Sequence, residues 1–326
     1  MKKQSFIKGT IILTIGGFVA KLLGAIYKIP LTNILGSSGI GIYYLVFPMF
    51  NLLLVCSSGG VGIAISKIVA NSDSTLRDKK YLIAGILISS FCGILFAIVL
   101  MFFSKSISAN QGNDLSYLSF IIISPSIIFA SLVAVFKSYF QGVENMVPST
   151  TSMIIEQSVK MVVGLFLATK LIKLGIEYAV VGAIIGVTIS EIAAFIVIVF
   201  QYLYNRKKII KENNNNISIK NAIKQVMSIA FPNTLMLLIM PLISFIDSFM
   251  VVNLLVDSGF SSISATSLYG INNGVVSSLL ALPVIINVFI ILIFMSIFFF
   301  KIIIQQITQK DKKNIFANTL PKILKF

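Results

Sequence analysis

Long apolar runs, separated by short clusters of Lys, Arg, Asn and Ser, set the rhythm of this chain. They predict eight spans: residues 7–26, 40–63, 81–103, 115–135, 151–171, 178–203, 230–256 and a last one within 266–304. Each is long enough to cross about 30 Å of hydrocarbon as a helix. The runs are rich in Leu, Ile, Val and Phe and lack the alternation of barrel strands, so the predicted fold is all-α, a polytopic transmembrane bundle. The last stretch would make a rod of nearly 60 Å at about 1.5 Å per residue. That is too long for one helix at the common tilt, so it bends at Pro283 or holds a broken helix. Pro30, Pro48, Pro125, Pro232 and Pro241 lie within or at the ends of other spans. Each removes a backbone hydrogen bond and permits bending, which fits a transporter better than a rigid scaffold.

Composition sharpens the class. Hydrophobic residues fill 57% of the 326 positions and charged residues 11%, a balance that no soluble domain of this length tolerates. The basic residues occupy alternate loops. Lys2, Lys3 and Lys8 precede the first span; Lys67, Arg77, Lys79 and Lys80 follow the second; Arg206, Lys207, Lys208, Lys211, Lys220 and Lys224 lie between the sixth and seventh. Lys301, Lys310, Lys312, Lys313, Lys322 and Lys325 close the chain, whereas the intervening loops carry Lys28, Lys105, Lys170 and Lys173. By the positive-inside rule both termini are expected to be cytoplasmic, in a multi-pass cell-membrane protein. The net charge of +15 is therefore mostly topology, and nucleic acid is not an expected partner. The first apolar run follows Lys2 and Lys3 without a small-residue cleavage site, which reads as a retained helix.

Other chemistry is quickly bounded. The chain has no His, which excludes an imidazole relay, a His-ligated metal and a Ser-His nucleophile. Cys56 and Cys92 fall in or beside spans and read as packing residues, so no metal site is expected. No cofactor is expected either; a coupling ion is left open. Loops of at most about two dozen residues leave no room for a soluble catalytic domain, so an enzyme is not expected. The Asn tract at 213–216 divides the chain: 1–204 as a six-helix bundle, 205–224 as a basic cytoplasmic linker, 225–304 as the first two spans of a second bundle, and 305–326 as a basic tail.

Ionisable residues inside spans are the candidate functional groups, because lipid penalises them heavily. Lys21, flanked by Gly16, Gly17 and Gly24, either snorkels to headgroups or faces a cavity; for Lys28 the snorkelling reading fits better. Glu156 and Lys160 stand four apart, the spacing of an internal helix pair that neutralises itself or lines a wet interior. Glu191, after Thr188 and Ser190, extends the same polar surface. Asp247 is a mid-span carboxylate with Ser244 and Ser248 as near neighbours.

These residues sit in motifs that carry a resemblance. Ala20-Lys21-Leu22-Leu23-Gly24-Ala25-Ile26-Tyr27-Lys28-Ile29-Pro30-Leu31 leads into Gly36-Ser37-Ser38-Gly39 and Ser57-Ser58-Gly59-Gly60. Further on come Tyr139-Phe140-Gln141-Gly142, Ile155-Glu156-Gln157, Thr188-Ile189-Ser190-Glu191, Phe245-Ile246-Asp247-Ser248 and Leu268-Tyr269-Gly270-Ile271-Asn272-Asn273-Gly274. In this order and spacing the chain resembles the polysaccharide biosynthesis, or oligosaccharide flippase, family, especially its stage V sporulation protein B branch, over about residues 5–284. The resemblance implies a fold like that of the multidrug exporters and lipid II flippases, with two bundles around a central cavity and alternating access. It implies as substrate an undecaprenyl-diphosphate-linked saccharide such as lipid II, moved to the outer leaflet for peptidoglycan, spore cortex or polysaccharide synthesis. It assigns anion binding to Lys21; Lys28, Glu156, Lys160, Glu191, Asp247, Asn272 and Asn273 are the further candidates for the substrate site. Beyond about Pro283 the family pattern gives way to an Ile- and Phe-rich run and a basic tail. The second bundle is therefore expected to be incomplete, with a second chain or a homodimer to complete it. Two other readings stay open: a drug or cation antiporter with Asp247, Glu156 and Glu191 as ion sites, and a non-transporting fragment or membrane partner of the cell-wall machinery. A net basic cavity favours the diphosphate and a net acidic one favours cations.

Overall fold

The computed structural model describes residues 6–71, 79–209 and 218–276. Among these the regular structure is helical throughout. Helix α1 spans Phe6–Leu54 and α2 Gly60–Asn71, joined by a π-helical turn at Val55–Gly59. Then follow α3 (Lys79–Asn110), α4 (Tyr117–Gly142), α5 (Val147–Leu171), α6 (Ile176–Ile209), α7 (Ile219–Asp257) and α8 (Ser262–Gly270). A second π-helical turn, Ile271–Val276, closes the described part. Met1–Val276 form one compact unit; Ser277–Phe326 form another and lie outside the described residues. The predicted bend at Pro283, the basic tail and the Asn tract therefore also lie outside them.

Among the described residues, six stretches are long and apolar enough to cross a membrane: Gly9–Asn71, Lys79–Asn110, Asp114–Gly142, Val147–Leu174, Ile176–Asn205 and Ile219–Asp257. The first has 63 residues, or about 95 Å of helix, enough for two crossings. The expected loop between the first two spans is absent. In its place the helix breaks at Gly36, with φ 63° and ψ −174°, a backbone region that essentially only glycine occupies. The break falls here and not at nearby Pro30, because proline removes one hydrogen bond while Gly36 takes a conformation closed to other residues. Gly36→Ala is expected to cost about 2 kcal/mol, read as a lowered thermal midpoint in detergent; an unchanged midpoint would show that the break does not depend on this glycine.

Helix ends also differ from the sequence expectation. α4 runs on to Gly142, past the predicted end at Val135, and α7 starts at Ile219, well before Ala230. The interval taken as a 205–224 linker is thus helical at both ends, through Ile209 and again from Ile219. Charged residues closed the apolar runs, but their aliphatic stems continue a helix without difficulty.

Lipid gives helices no hydrophobic reason to associate, so close backbone approach and polar contacts must hold the bundle. Both are present. A Cβ on Gly186 of α6 would fall 2.4 Å from the Cα of Gly164 on α5, and one on Gly60 of α2 would fall 2.1 Å from the carbonyl oxygen of Ala230 on α7. At the end of the bundle remote from the N-terminus, the α3–α4 turn ties down α7 and α8. Fully buried Gln111 donates from Nε2 to Ser248 Oγ at 2.9 Å and to the Leu45 carbonyl at 3.3 Å. Asn113 Nδ2 donates to Thr266 Oγ1 at 3.0 Å, Asn253 Nδ2 to the Asn110 carbonyl at 2.8 Å, and Ser262 Oγ to the Gly112 carbonyl. At the opposite end Tyr81 donates its hydroxyl to Gln225 Oε1 at 2.6 Å, joining α3 to α7. Large apolar side chains such as Phe91, Phe102, Phe231 and Met240 point outward, as a lipid-facing surface requires.

Candidate functional site

Small residues on α1 and α5 let these helices run side by side. A Cβ on Gly16 would fall 1.8 Å from Thr150 Cγ2, and one on Gly24 would meet Gln157 Oε1 at 3.3 Å. One on Gly164 would lie 2.9 Å from the Tyr27 hydroxyl. This seam, with α6 crossing α5 at Gly186, encloses side chains that lipid would otherwise touch.

Along it lies a column of charge. Lys137 of α4 and Glu156 of α5 form an ion pair, Nζ to Oε2 at 3.2 Å, with each side chain about one-fifth exposed. Gln157 Nε2 donates to the other carboxylate oxygen of Glu156 at 2.9 Å. Lys160, half-buried one turn further on, is within electrostatic reach of Glu156, of Glu191 on α6 and of Lys28 on α1. Glu191 in turn feels Glu156, Lys137 and Lys160. Lys160 Nζ stands 5.9 Å from the centre of the Tyr27 ring and Lys28 Nζ 5.5 Å from that of Tyr44. Such cation–π contacts stabilise an ammonium where water is scarce. Measured along the helices, Lys137 lies about 8 Å from the end of α4, Lys160 about 20 Å into α5, and Lys28 about 12 Å short of the Gly36 break. The column therefore climbs from near the N-terminal end of the bundle to beyond its middle.

The structure thus gathers four of the sequence candidates, Lys28, Glu156, Lys160 and Glu191. It corrects the expected pairing within α5: Glu156 closes on Lys137, and Lys160 turns to Tyr27. Lys137 was missed because the predicted span ended two residues before it. The remaining candidates stand apart. Lys21 is exposed on α1 and makes no ion pair with the column among the described residues. Asp247 is exposed on α7 and its electrostatic neighbour is Tyr269 of α8, beyond the serines beside it in sequence. Asn272 is exposed, and Asn273 Nδ2 donates to the Tyr269 carbonyl at 3.2 Å inside the second π-helical turn. That turn still approaches the column, because a Cβ on Gly274 would lie 2.5 Å from Tyr44 Cε2, in the ring that carries Lys28.

The helical bundle and its polar column define a multi-pass membrane protein. Its fold is that of the MATE proteins: a crystal structure of MATE in complex with MaD5 matches with a TM-score of 0.61 at 15% identity, over 81% of this chain and 62% of that one. A MOP superfamily transporter from Pyrococcus furiosus matches with a TM-score of 0.57 at 13% identity, over 83% and 69%. The chain belongs to the polysaccharide biosynthesis protein family, whose model matches residues 6–298. Among curated relatives it is 30% identical to stage V sporulation protein B of Bacillus subtilis (strain 168) over 291 residues, 87% of this chain and 56% of that protein. It is 24% identical to the lipid II flippase MurJ of the same organism, over 80% of this chain and 52% of that one. The chain spans about half the length of the curated relatives it matches.

Proposed function

We propose that this protein translocates a lipid-linked saccharide, carried on a polyprenyl diphosphate, across the cell membrane by alternating access. One observation carries the reading: in the intramembrane column the cations Lys28, Lys137 and Lys160 outnumber the anions Glu156 and Glu191. A diphosphate headgroup needs surplus cations out of bulk water, whereas a cationic drug needs the reverse. Family membership and the resemblance to a lipid II flippase support the same substrate class. Lys21, Asp247, Asn272 and Asn273 would then serve other parts of the ligand or other stages of the cycle. Both termini would be cytoplasmic, and a further chain would be needed wherever the second bundle is incomplete.

The test is expression of this chain in cells depleted of their own lipid II flippases, with outer-leaflet lipid II as the readout. Restored outer-leaflet lipid II is the expected result. A membrane-inserted chain that leaves lipid II inside and instead raises efflux of cationic dyes would overturn the proposal.

A further inference from the structure

We propose that Cys56 and Cys92 are a redox-responsive pair. A bilayer-soluble two-electron acceptor of the quinone or azo type closes them to a disulfide, and the bond locks the first π-helical turn onto α3. The proposal goes beyond the transport reading and holds whatever ligand is carried.

The chain has two cysteines, and both are half-buried free thiols. Cys56 lies inside the turn Val55–Gly59 and Cys92 in the body of α3. Two contacts set the register between these segments. A Cβ on Gly85 of α3 would fall 2.1 Å from Ile65 Cδ1 on α2. Further along, Ser57 Oγ and Ser131 Oγ of α4 share a hydrogen bond of 2.5 Å, and a Cβ on Gly93 would lie 3.5 Å from that same Ser131 oxygen. α3 therefore runs antiparallel to the turn and α2, and the neighbours of both cysteines meet at one residue of α4. Cys56 stands nine residues before Ile65 and Cys92 seven after Gly85, so their levels differ by about 3 Å along the helix axis. The turn packs directly on α3, and Cys56 lies within electrostatic reach of Cys92.

Of the two partners, the turn is the one able to move. α3 is clamped to α4, where a Cβ on Gly93 would fall 3.3 Å from the Cα of Ile128. In the turn, the hydroxyls of Ser57 and Ser58 both donate to the Leu54 carbonyl, at 2.9 and 3.0 Å, because π-helical winding withdraws the regular amide partner. Single π-helical turns of this kind concentrate at functional sites. This one also touches α7, since a Cβ on Gly59 would lie 3.3 Å from Leu237 Cδ1. A bond from the turn to α3 thus fixes the point where α1, α2, α4 and α7 converge. Phe91 beside Cys92 and Leu95 one turn on are exposed on the lipid-facing surface, which opens this place to an apolar oxidant. In the step two S–H bonds break and one S–S bond forms. Two electrons and two protons pass to the acceptor, a quinone becoming a hydroquinone or an azo compound a hydrazine.

The experiment treats the purified full chain in detergent with the azo oxidant diamide, then denatures it and labels free thiols with a polyethylene glycol maleimide. The untreated chain is expected to take two labels and the treated chain none, as a monomer on a non-reducing gel; dithiothreitol should restore both labels. Amide hydrogen exchange across 55–60 in the folded protein should slow several-fold on oxidation, because the local opening that exposes these amides is then tethered. Cys56→Ser and Cys92→Ser each leave one thiol and should exchange like the reduced wild type with or without diamide, which separates the bond from any other effect of the oxidant. A treated wild type that still takes two labels, or that is linked only between copies, would overturn the pair. An intramolecular disulfide that leaves exchange in 55–60 unchanged, or slowing that also occurs in the single variants, would overturn the lock.

Discussion

Gly41→Leu is expected to lower the stability of the detergent-solubilised protein by about 3 kcal/mol, toward the upper end of what overpacking does. A Cβ at this position would fall 2.2 Å from the carbonyl oxygen of Thr266 and 2.7 Å from its carbonyl carbon. The contact is mutual: a Cβ on Gly270 would lie 2.4 Å from the Cα of Gly41. These are backbone atoms, which cannot rotate aside as a side chain can, so α8 must move off α1. Moving Thr266 also strains the hydrogen bond it accepts from Asn113, one of the polar ties between the α3–α4 turn and α8. The control is Gly17, where a Cβ meets nothing within 4 Å. Gly17→Ala is expected to be neutral or to stabilise slightly, since alanine is the better helix former by about 1 kcal/mol. Thermal unfolding of both variants decides the matter, and a Gly41→Leu protein that melts with the wild type would mean that α1 and α8 do not cross here.

Much of the scaffold is legible in the sequence. Apolar run length alone places seven of the predicted spans on observed helices, because lipid admits only backbone that satisfies its own hydrogen bonds. Helix ends are less legible. The hydropathy of α4 falls at Lys137, yet the helix continues to Gly142, because a lysine there has a partner that the local sequence does not reveal. The break at Gly36 is also hidden. The residues around it are apolar or small and read as either helix or loop, and only the positive φ of one glycine decides between them.

The candidate site shows the same division. That Glu156, Lys160 and Glu191 are candidates could be read from their depth in apolar runs, since each ion there needs a reason, whereas Lys28 read better as a lysine snorkelling to headgroups. Which of them meet could not. Spacing of four along α5 suggested Glu156 with Lys160, but the bond goes to Lys137, 19 residues away in sequence and on another helix. The polar ties at the far end were equally invisible, because Gln111 and Asn113 look like ordinary turn residues until α7 and α8 fold over them.

The Lys137–Glu156 pair offers the second large effect. Breaking a fully buried ion pair by removing one partner costs about 3–5 kcal/mol. Here both side chains keep about one-fifth exposure, and Glu191 lies within reach of Lys137 as a substitute. Glu156→Ala is therefore expected to cost less, about 2 kcal/mol. Glu156→Gln keeps the shape and an acceptor for Gln157 but not the charge, and should recover only part of that. The double variant Lys137→Met/Glu156→Met separates a missing charge from a missing contact. Replacing both ions by apolar groups of similar size is often neutral or better, so the double is expected to be more stable than Glu156→Ala. Reversing the pair as Lys137→Glu/Glu156→Lys should not restore stability. It recreates the contact but sets a new ammonium one turn from Lys160, a like-charge pair at i, i+4. A double-mutant cycle from thermal unfolding in detergent gives the coupling directly. Independent, additive losses would show that the 3.2 Å contact contributes nothing, and would return Glu156 to Lys160 as the partner that its position on α5 first suggested.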